Sequence, residues 1–161
     1  MEVPIEKTVD GARVFFPPPL IYVAGLAVAI AADRLAHLPR LGLPPTLRDV
    51  LGTGFVVAGL LVSFAGAGLF RRLGTAVIPY KPATRLVTSG IYRWTRNPMY
   101  LGMALIYLGV AAFFNSLSSL VLLPLVLVTV QTQVIAREEA YLERAFGAEY
   151  VAYKKRVRAW I

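Results

Sequence analysis

Four apolar stretches, at about 14–32, 50–70, 98–114 and 117–136, leave this 161-residue chain few ways to fold. A helix of roughly 20 apolar residues crosses a bilayer core of about 30 Å, and each stretch reaches or approaches that length. Hydrophobic residues make up 57% of the chain and charged ones 16%, and the mean hydropathy is +0.63. A soluble domain of this size could not keep so much apolar surface from water. The expected fold is therefore all-α, a single integral membrane domain over 1–161 with about four transmembrane helices, a connection at 71–97 and a tail at 137–161. The bilayer is the expected large partner, with no nucleic acid.

The last two stretches meet so tightly at Asn115-Ser116 that they predict an antiparallel hairpin. Pro124 is expected to bend the fourth helix, its freed carbonyl satisfied by neighbours. Gly52, Gly54, Gly59, Ser63, Gly66 and Ala67 predict close helix packing along the second. With no cysteine and a lone His37 among Leu35, Ala36 and Leu38, disulfides, thiol chemistry and a transition-metal site are not expected. Glu2, Glu6 and Asp10, followed by Pro17, Pro18 and Pro19, do not fit a cleaved signal, so the first stretch is expected to remain.

Charge orients the bundle. Lys7 and Arg13 precede the first stretch, six basic residues lie between Arg71 and Pro98, and six more lie in the tail. With four spans these share one side, which collects fourteen of the seventeen basic residues. That side is cytoplasmic by the positive-inside rule, and the expected location is a bacterial inner (plasma) membrane with both termini cytoplasmic.

The connection from Arg71 to Pro98 runs 28 residues without Asp or Glu. Ile78, Tyr80, Leu86, Val87, Ile91, Tyr92 and Trp94 within it are interfacial types, which argues against disorder. Two readings stay open: a segment lying on anionic headgroups, or a lid over a pocket for a ligand with an anionic group. Beyond the fourth stretch, Gln131, Val134, Ile135, Glu138, Tyr141, Leu142 and Ala145 recur at helical spacing. Glu138 thus lies inside an apolar stripe, while Glu139 turns toward Glu143 and the wetter side. A carboxylate on a packed face is costly unless a cation meets it. Arg96 or another loop arginine could be that cation, in a structural ion pair; a ligand ammonium is the alternative. Gly147 is expected to stop the helix. Tyr150, Tyr153, Val157 and Trp160 then predict an amphipathic helix on the inner membrane surface.

Arg96-Asn97-Pro98 interrupts the apolar pattern just before the third stretch. Asn97 can cap a helix, and Pro98 suits its first position. LVTSGIYRWTRNPMYLG (86–102), followed after one hairpin by REEAYLERAFGAEYVAYKKRV (137–157), resembles the isoprenylcysteine carboxyl methyltransferase and phospholipid methyltransferase superfamily of integral membrane enzymes. The resemblance runs from about Pro82 to the end; the first two apolar stretches carry no mark of it. Asn97 stands where the isoprenylcysteine enzymes have histidine, as in the phospholipid N-methyltransferase version, and an amide cannot titrate.

The resemblance implies S-adenosyl-L-methionine as methyl donor, bound where the connection, the third helix and the C-terminal helices meet. It implies cofactor contacts at Thr84, Arg85, Leu86, Val87, Tyr92, Asn97, Pro98, Met99, Tyr100 and Glu138. The third helix's N-terminus and loop arginines can meet the cofactor's carboxylate, and Glu138 its ammonium. The family's substrate arginine falls near Val134 and is either absent or replaced by Arg137. No catalytic group is assigned; Glu139 and Arg137 are candidates. The implied acceptor is hydrophobic or lipid-embedded: a prenylcysteine-like carboxylate, a thiol or a phospholipid amine. A membrane sterol-type reductase with a nicotinamide cofactor and a non-catalytic small membrane protein are the alternatives. A cation exporter is disfavoured because Asp33 and Asp49 sit only at stretch ends.

Overall fold

The computed structural model describes residues 16–74 and 84–161. Val14 and Phe15, the N-terminal charges, and Ile78, Tyr80 and Lys81 lie outside the described residues. Three helices begin on proline: α1 (Pro18–Leu35), α2 (Pro45–Arg72) and α3 (Pro98–Phe113). A first-turn N–H has no intrahelical partner, so proline loses nothing there and brings a helical φ. The hydroxyl of Ser116 caps α4 (Leu117–Val130), accepting the Ser119 N–H at 3.1 Å. Through a π turn at Gln131–Ile135, α4 continues into α5 (Ala136–Arg156). The second helix starts earlier than its apolar stretch, at Pro45, and the π turn has no signature in the sequence.

The expected α3–α4 hairpin is present. Asn115 takes a positive φ of 53° at its turn, a conformation asparagine tolerates. Its side-chain carbonyl accepts the Leu43 N–H at 3.2 Å and its backbone carbonyl the Leu41 N–H at 3.1 Å. The α1–α2 connection is thereby fastened to the hairpin.

Backbone-to-backbone contact joins α2 to α3. A Cβ on Gly102 would lie 2.6 Å from the Gly59 carbonyl oxygen and even closer to Ser63 Oγ; one on Gly59 would lie 2.5 Å from the Gly102 carbonyl. Near its end, Gly66 brings α2 against Pro98 and Met99. On the opposite side of α3, the Tyr22 hydroxyl of α1 donates to the Tyr100 carbonyl at 3.0 Å, and the Tyr22 and Tyr107 rings meet edge to face. Tyr22, Tyr100, Tyr107, Val126, Val130, Val134, Ile135 and Tyr141 form the core.

Large apolar side chains also point outward: Leu61 is 66% exposed, Phe64 69% and Val121 72%. Helices α1, α2 and the one starting at Leu117 are long and apolar enough to cross a membrane, while α3, with 16 residues, is shorter. The chain is an all-helical integral membrane protein whose apolar exterior suits lipid.

The Gly59–Gly102 contact makes a stability prediction. Gly102→Val should lower the melting temperature in detergent, by the equivalent of about 1–3 kcal/mol, because carbonyl and side chain crowd the new methyls. Gly54→Ala, with nothing within 4 Å of its Cβ, should leave it unchanged or raise it slightly. Equal melts for both would overturn the close contact.

Candidate functional site

The site forms where α3 begins and α5 leaves the bundle. A 3-10 turn at Gly90–Arg93 sets Tyr92 on the end of α2, its ring edge-on to Phe70 at 5.4 Å. From Trp94 the chain enters α3 through Arg96 and Asn97. Opposite, the predicted stripe of α5 does face the core: Val134, Ile135 and Tyr141 are buried, and Leu142 and Ala145 pack against them.

Glu138 points from that stripe at α3. The Tyr100 hydroxyl donates to Glu138 Oε1 at 2.5 Å. Among the described residues no arginine pairs with it, so of the two open readings the structural ion pair of Glu138 with Arg96 is not formed. Burial pushes the Glu138 carboxyl up to about 7; the Tyr100 hydrogen bond opposes this and the Glu139 charge adds to it. Tyr92 is close enough for its hydroxyl to feel the Glu138 charge, although burial is the main reason that hydroxyl is held far above its ordinary range. Buried and without a hydrogen-bond partner, Tyr92 Oη and Arg96 Nε both stand in this region. Orphaned buried donors are costly in a finished core and ordinary in a site that awaits a polar ligand.

Glu139, not Glu138, is the ion-paired carboxylate. Arg96 Nη2 reaches Glu139 Oε1 at 2.5 Å and Lys154 Nζ reaches Oε2 at 3.0 Å, with the Glu139 side chain 14% exposed. This corrects the expectation that Glu139 faces the wet side. At Gly147 (φ 52°, ψ −127°) the helix breaks as expected, but the second limb folds back over the Glu139 face of the first. Bonds to Glu143 and Glu139 raise the Lys154 ammonium further.

That fold-back corrects two more expectations. Tyr150 and Tyr153 are buried in protein instead of lying on a membrane surface, and the Tyr153 hydroxyl donates to the Tyr92 carbonyl at 2.7 Å. Helix α5 ends at Arg156, and Trp160 Nε1 donates to Gln131 Oε1 at 2.9 Å, anchoring the tail to the bundle. Asn97 sits at the cap position of α3, but its side chain makes no capping bond. Its Nδ2 donates instead to the Ala159 carbonyl at 2.9 Å, which also accepts from Thr95 Oγ1 at 3.1 Å.

Of the implied cofactor residues, Tyr92, Pro98, Tyr100 and Glu138 gather here with Met99 and Asn97 half-buried alongside. Val87 is buried, Leu86 half-buried, and Thr84 and Arg85 are exposed. Arg137 turns to Gln133 one helical turn back, at 3.4 Å. Sequence reasoning missed Lys154 and the stretch Val157–Trp160. A lysine and a tryptophan beyond a helix stop look alike in sequence whether they meet the membrane surface or pack inward.

The family described as Phospholipid methyltransferase matches residues 47–149. A protein-S-isoprenylcysteine O-methyltransferase of Schizosaccharomyces pombe is 41% identical over 76 residues, 47% of this chain and 32% of that protein. An uncharacterized protein of Haemophilus influenzae is 48% identical over 64 residues, 39% of this chain and all of that protein. A probable protein-S-isoprenylcysteine O-methyltransferase of Oryza sativa subsp. indica is 28% identical over 142 residues, 82% of this chain and 73% of that protein. The chain thus spans about a third of the fission-yeast relative and most of the rice one. No solved structure matches it significantly.

The raised Glu138 carboxyl predicts a pH signature of stability. Its folded-state value of about 7 exceeds the ordinary 4.5, so its contribution is full below about pH 4.5 and lost as pH rises through 7. Ligand-free wild type and Glu138→Gln should melt alike near pH 4.5, and the wild type should melt lower than the variant by about pH 8. A difference that does not vary with pH would contradict the desolvated carboxylate.

Proposed function

Because the chain belongs to the phospholipid methyltransferase family, we propose that it is a membrane methyltransferase that uses S-adenosyl-L-methionine to alkylate a hydrophobic, lipid-embedded acceptor. The observation that carries this is the half-buried, desolvated Glu138 carboxylate, bonded to Tyr100 and flanked by the unpartnered Tyr92 hydroxyl. A carboxylate so placed invites a cation, and the donor set suits a zwitterion. Glu138 would hold the ammonium group, and the first turn of α3, with its outward N–H groups and positive dipole end, the carboxylate. Tyr92 or Tyr100 would face the sulfonium with a ring or hydroxyl.

Bound there, the cofactor supplies an electrophilic methyl group on sulfur. The protein's own work is alignment and the exclusion of water. A carboxylate acceptor loses no proton on methylation, whereas an amine needs a base. Glu139 is tied to Arg96 and Lys154, and Glu138 is reserved for the ammonium. This favours a carboxylate acceptor of the prenylcysteine type over a phospholipid amine, in keeping with relatives named as isoprenylcysteine O-methyltransferases. The acceptor arrives from the bilayer, and the cofactor from the cytosol.

Cofactor titration tests the assignment. Removing a charged hydrogen bond worth about 1.5–3 kcal/mol by Glu138→Gln should weaken binding of adenosylmethionine or its demethylated product by one to two orders of magnitude, at about 1.4 kcal/mol per tenfold. Unchanged affinity, or stabilisation by a nicotinamide dinucleotide and not by adenosylmethionine, would overturn it.

In the same reading the chain crosses the membrane four times with both termini cytoplasmic, α3 spanning as the inner arm of the hairpin. Reporter fusions after Arg40 and at the C-terminus should then report opposite sides. Finding both on one side would reject that topology.

A further inference from the structure

Arg96 bonds to both limbs of α5 and to the segment that follows them. Its backbone N–H donates to the Arg158 carbonyl at 3.0 Å. Nη1 donates to the Lys154 and Val157 carbonyls at 3.0 and 2.5 Å, and Nη2 meets Glu139 at 2.5 Å. One guanidinium therefore holds the first limb of α5 through Glu139 and the second limb through two carbonyls, across the break at Gly147. Lys154 closes the same break from the other side, reaching Glu143 at 2.7 Å and Glu139 at 3.0 Å. With the Arg96 side chain 9% exposed, this is not a solvent-weakened surface pair.

We infer that Arg96 and Glu139 are positioning residues for Glu138, locking the rotation of the first α5 limb so that the Glu138 carboxylate is delivered to Tyr100. This rests on the proposed role of Glu138 in holding the cofactor. Adjacent helical side chains point about 100° apart, so a fixed Glu139 leaves Glu138 one direction to face, and that direction is α3. Lysine cannot substitute. An ammonium has the charge but lacks the planar fork that spans a carboxylate and two carbonyls together. The arrangement also sets the field at Glu138. The titratable and charged groups around it are Tyr100 from α3, Tyr92 from the 3-10 turn and Glu139 from its own helix, the last held by Arg96 and Lys154. Glu139 disfavours ionisation of Glu138, and Arg96 offsets that charge.

The test is titration of the full chain in detergent with the demethylated product of adenosylmethionine, across pH, with a melt of each ligand-free variant. Arg96→Lys and Arg96→Met should each weaken binding by about tenfold at pH 8, even where the protein stays folded. Affinity in the wild type should fall as Glu138 gains its proton. Arg96→Met should move the midpoint of that fall upward by about one pH unit, and Glu139→Gln should move it downward, as expected for a nearby charge. A merely structural pair would lower the melting temperature and leave affinity at pH 8 as in wild type, which would overturn the inference. If Arg96→Met does not fold, Arg96→Lys and Glu139→Gln decide by the same criteria. Glu138→Gln separates the two claims. Normal binding by that variant removes the Glu138 assignment itself, whereas weak binding there with normal binding by both Arg96 variants removes only the positioning role.

Discussion

A carboxylate withdrawn from water where a helix leaves the bundle sets the terms for the surrounding structure. Ionised Glu138 in an apolar setting costs several kcal/mol unless donors or a cation meet it. Tyr100 supplies one donor, and it can do so only because the first turn of α3 is brought within reach. That placement depends on contacts deeper in the bundle: Gly66 lets α2 lie against Pro98 and Met99, and Tyr22 fastens α1 to the Tyr100 carbonyl. Packing in the apolar layer and chemistry at its edge are thus one problem.

The position of α3 explains why the site is here. Gly102, Ala104, Gly109, Ala111 and Ala112 are buried along it, since α2 lies on one side and α1 and α4 on the others. Being central, α3 needs small residues and little lipid-facing bulk. The outer helices carry the large exposed side chains instead, as at Leu61, Phe64 and Val121. The N-terminus of a central helix is walled on several sides. An outer helix would open its end to lipid or water.

Much of this was legible from periodicity. The apolar stretches mark the helices, and the spacing from Gln131 to Ala145 puts Glu138 on the packed face by helical geometry alone. Such signals are local, because a helix fixes which of its own residues share a side. The contacts that define the site are not local. Arg96 and Glu139 are separated by 43 residues, and Asn97 and Ala159 by 62. Which of two adjacent glutamates meets an arginine depends on how α5 folds back at Gly147. A glycine there announces a break without giving its direction. Tyr150, Tyr153 and Trp160 are ambiguous for the same reason: an aromatic stripe looks alike whether it faces lipid headgroups or another part of the chain.

Asn97 shows how a motif's meaning shifts with its neighbours. Its resemblance-implied place is among the cofactor contacts, yet its amide donates to Ala159 and shares that carbonyl with Thr95. A carbonyl has two lone pairs, and here both are engaged. The Asn97 backbone N–H is also taken, by Thr95 Oγ1 at 3.1 Å. Tyr100 is therefore the side chain of the Asn97–Tyr100 run that reaches Glu138, while Asn97 holds the C-terminal segment over the start of α3. An amide keeps that bond at any pH, whereas an imidazole would donate from one nitrogen in its neutral form and from both when charged. With an amide at this position, no titrating ring stands there beside the Arg96–Glu139 pair, and Glu138 is the carboxylate in this site that burial pushes up toward neutral pH.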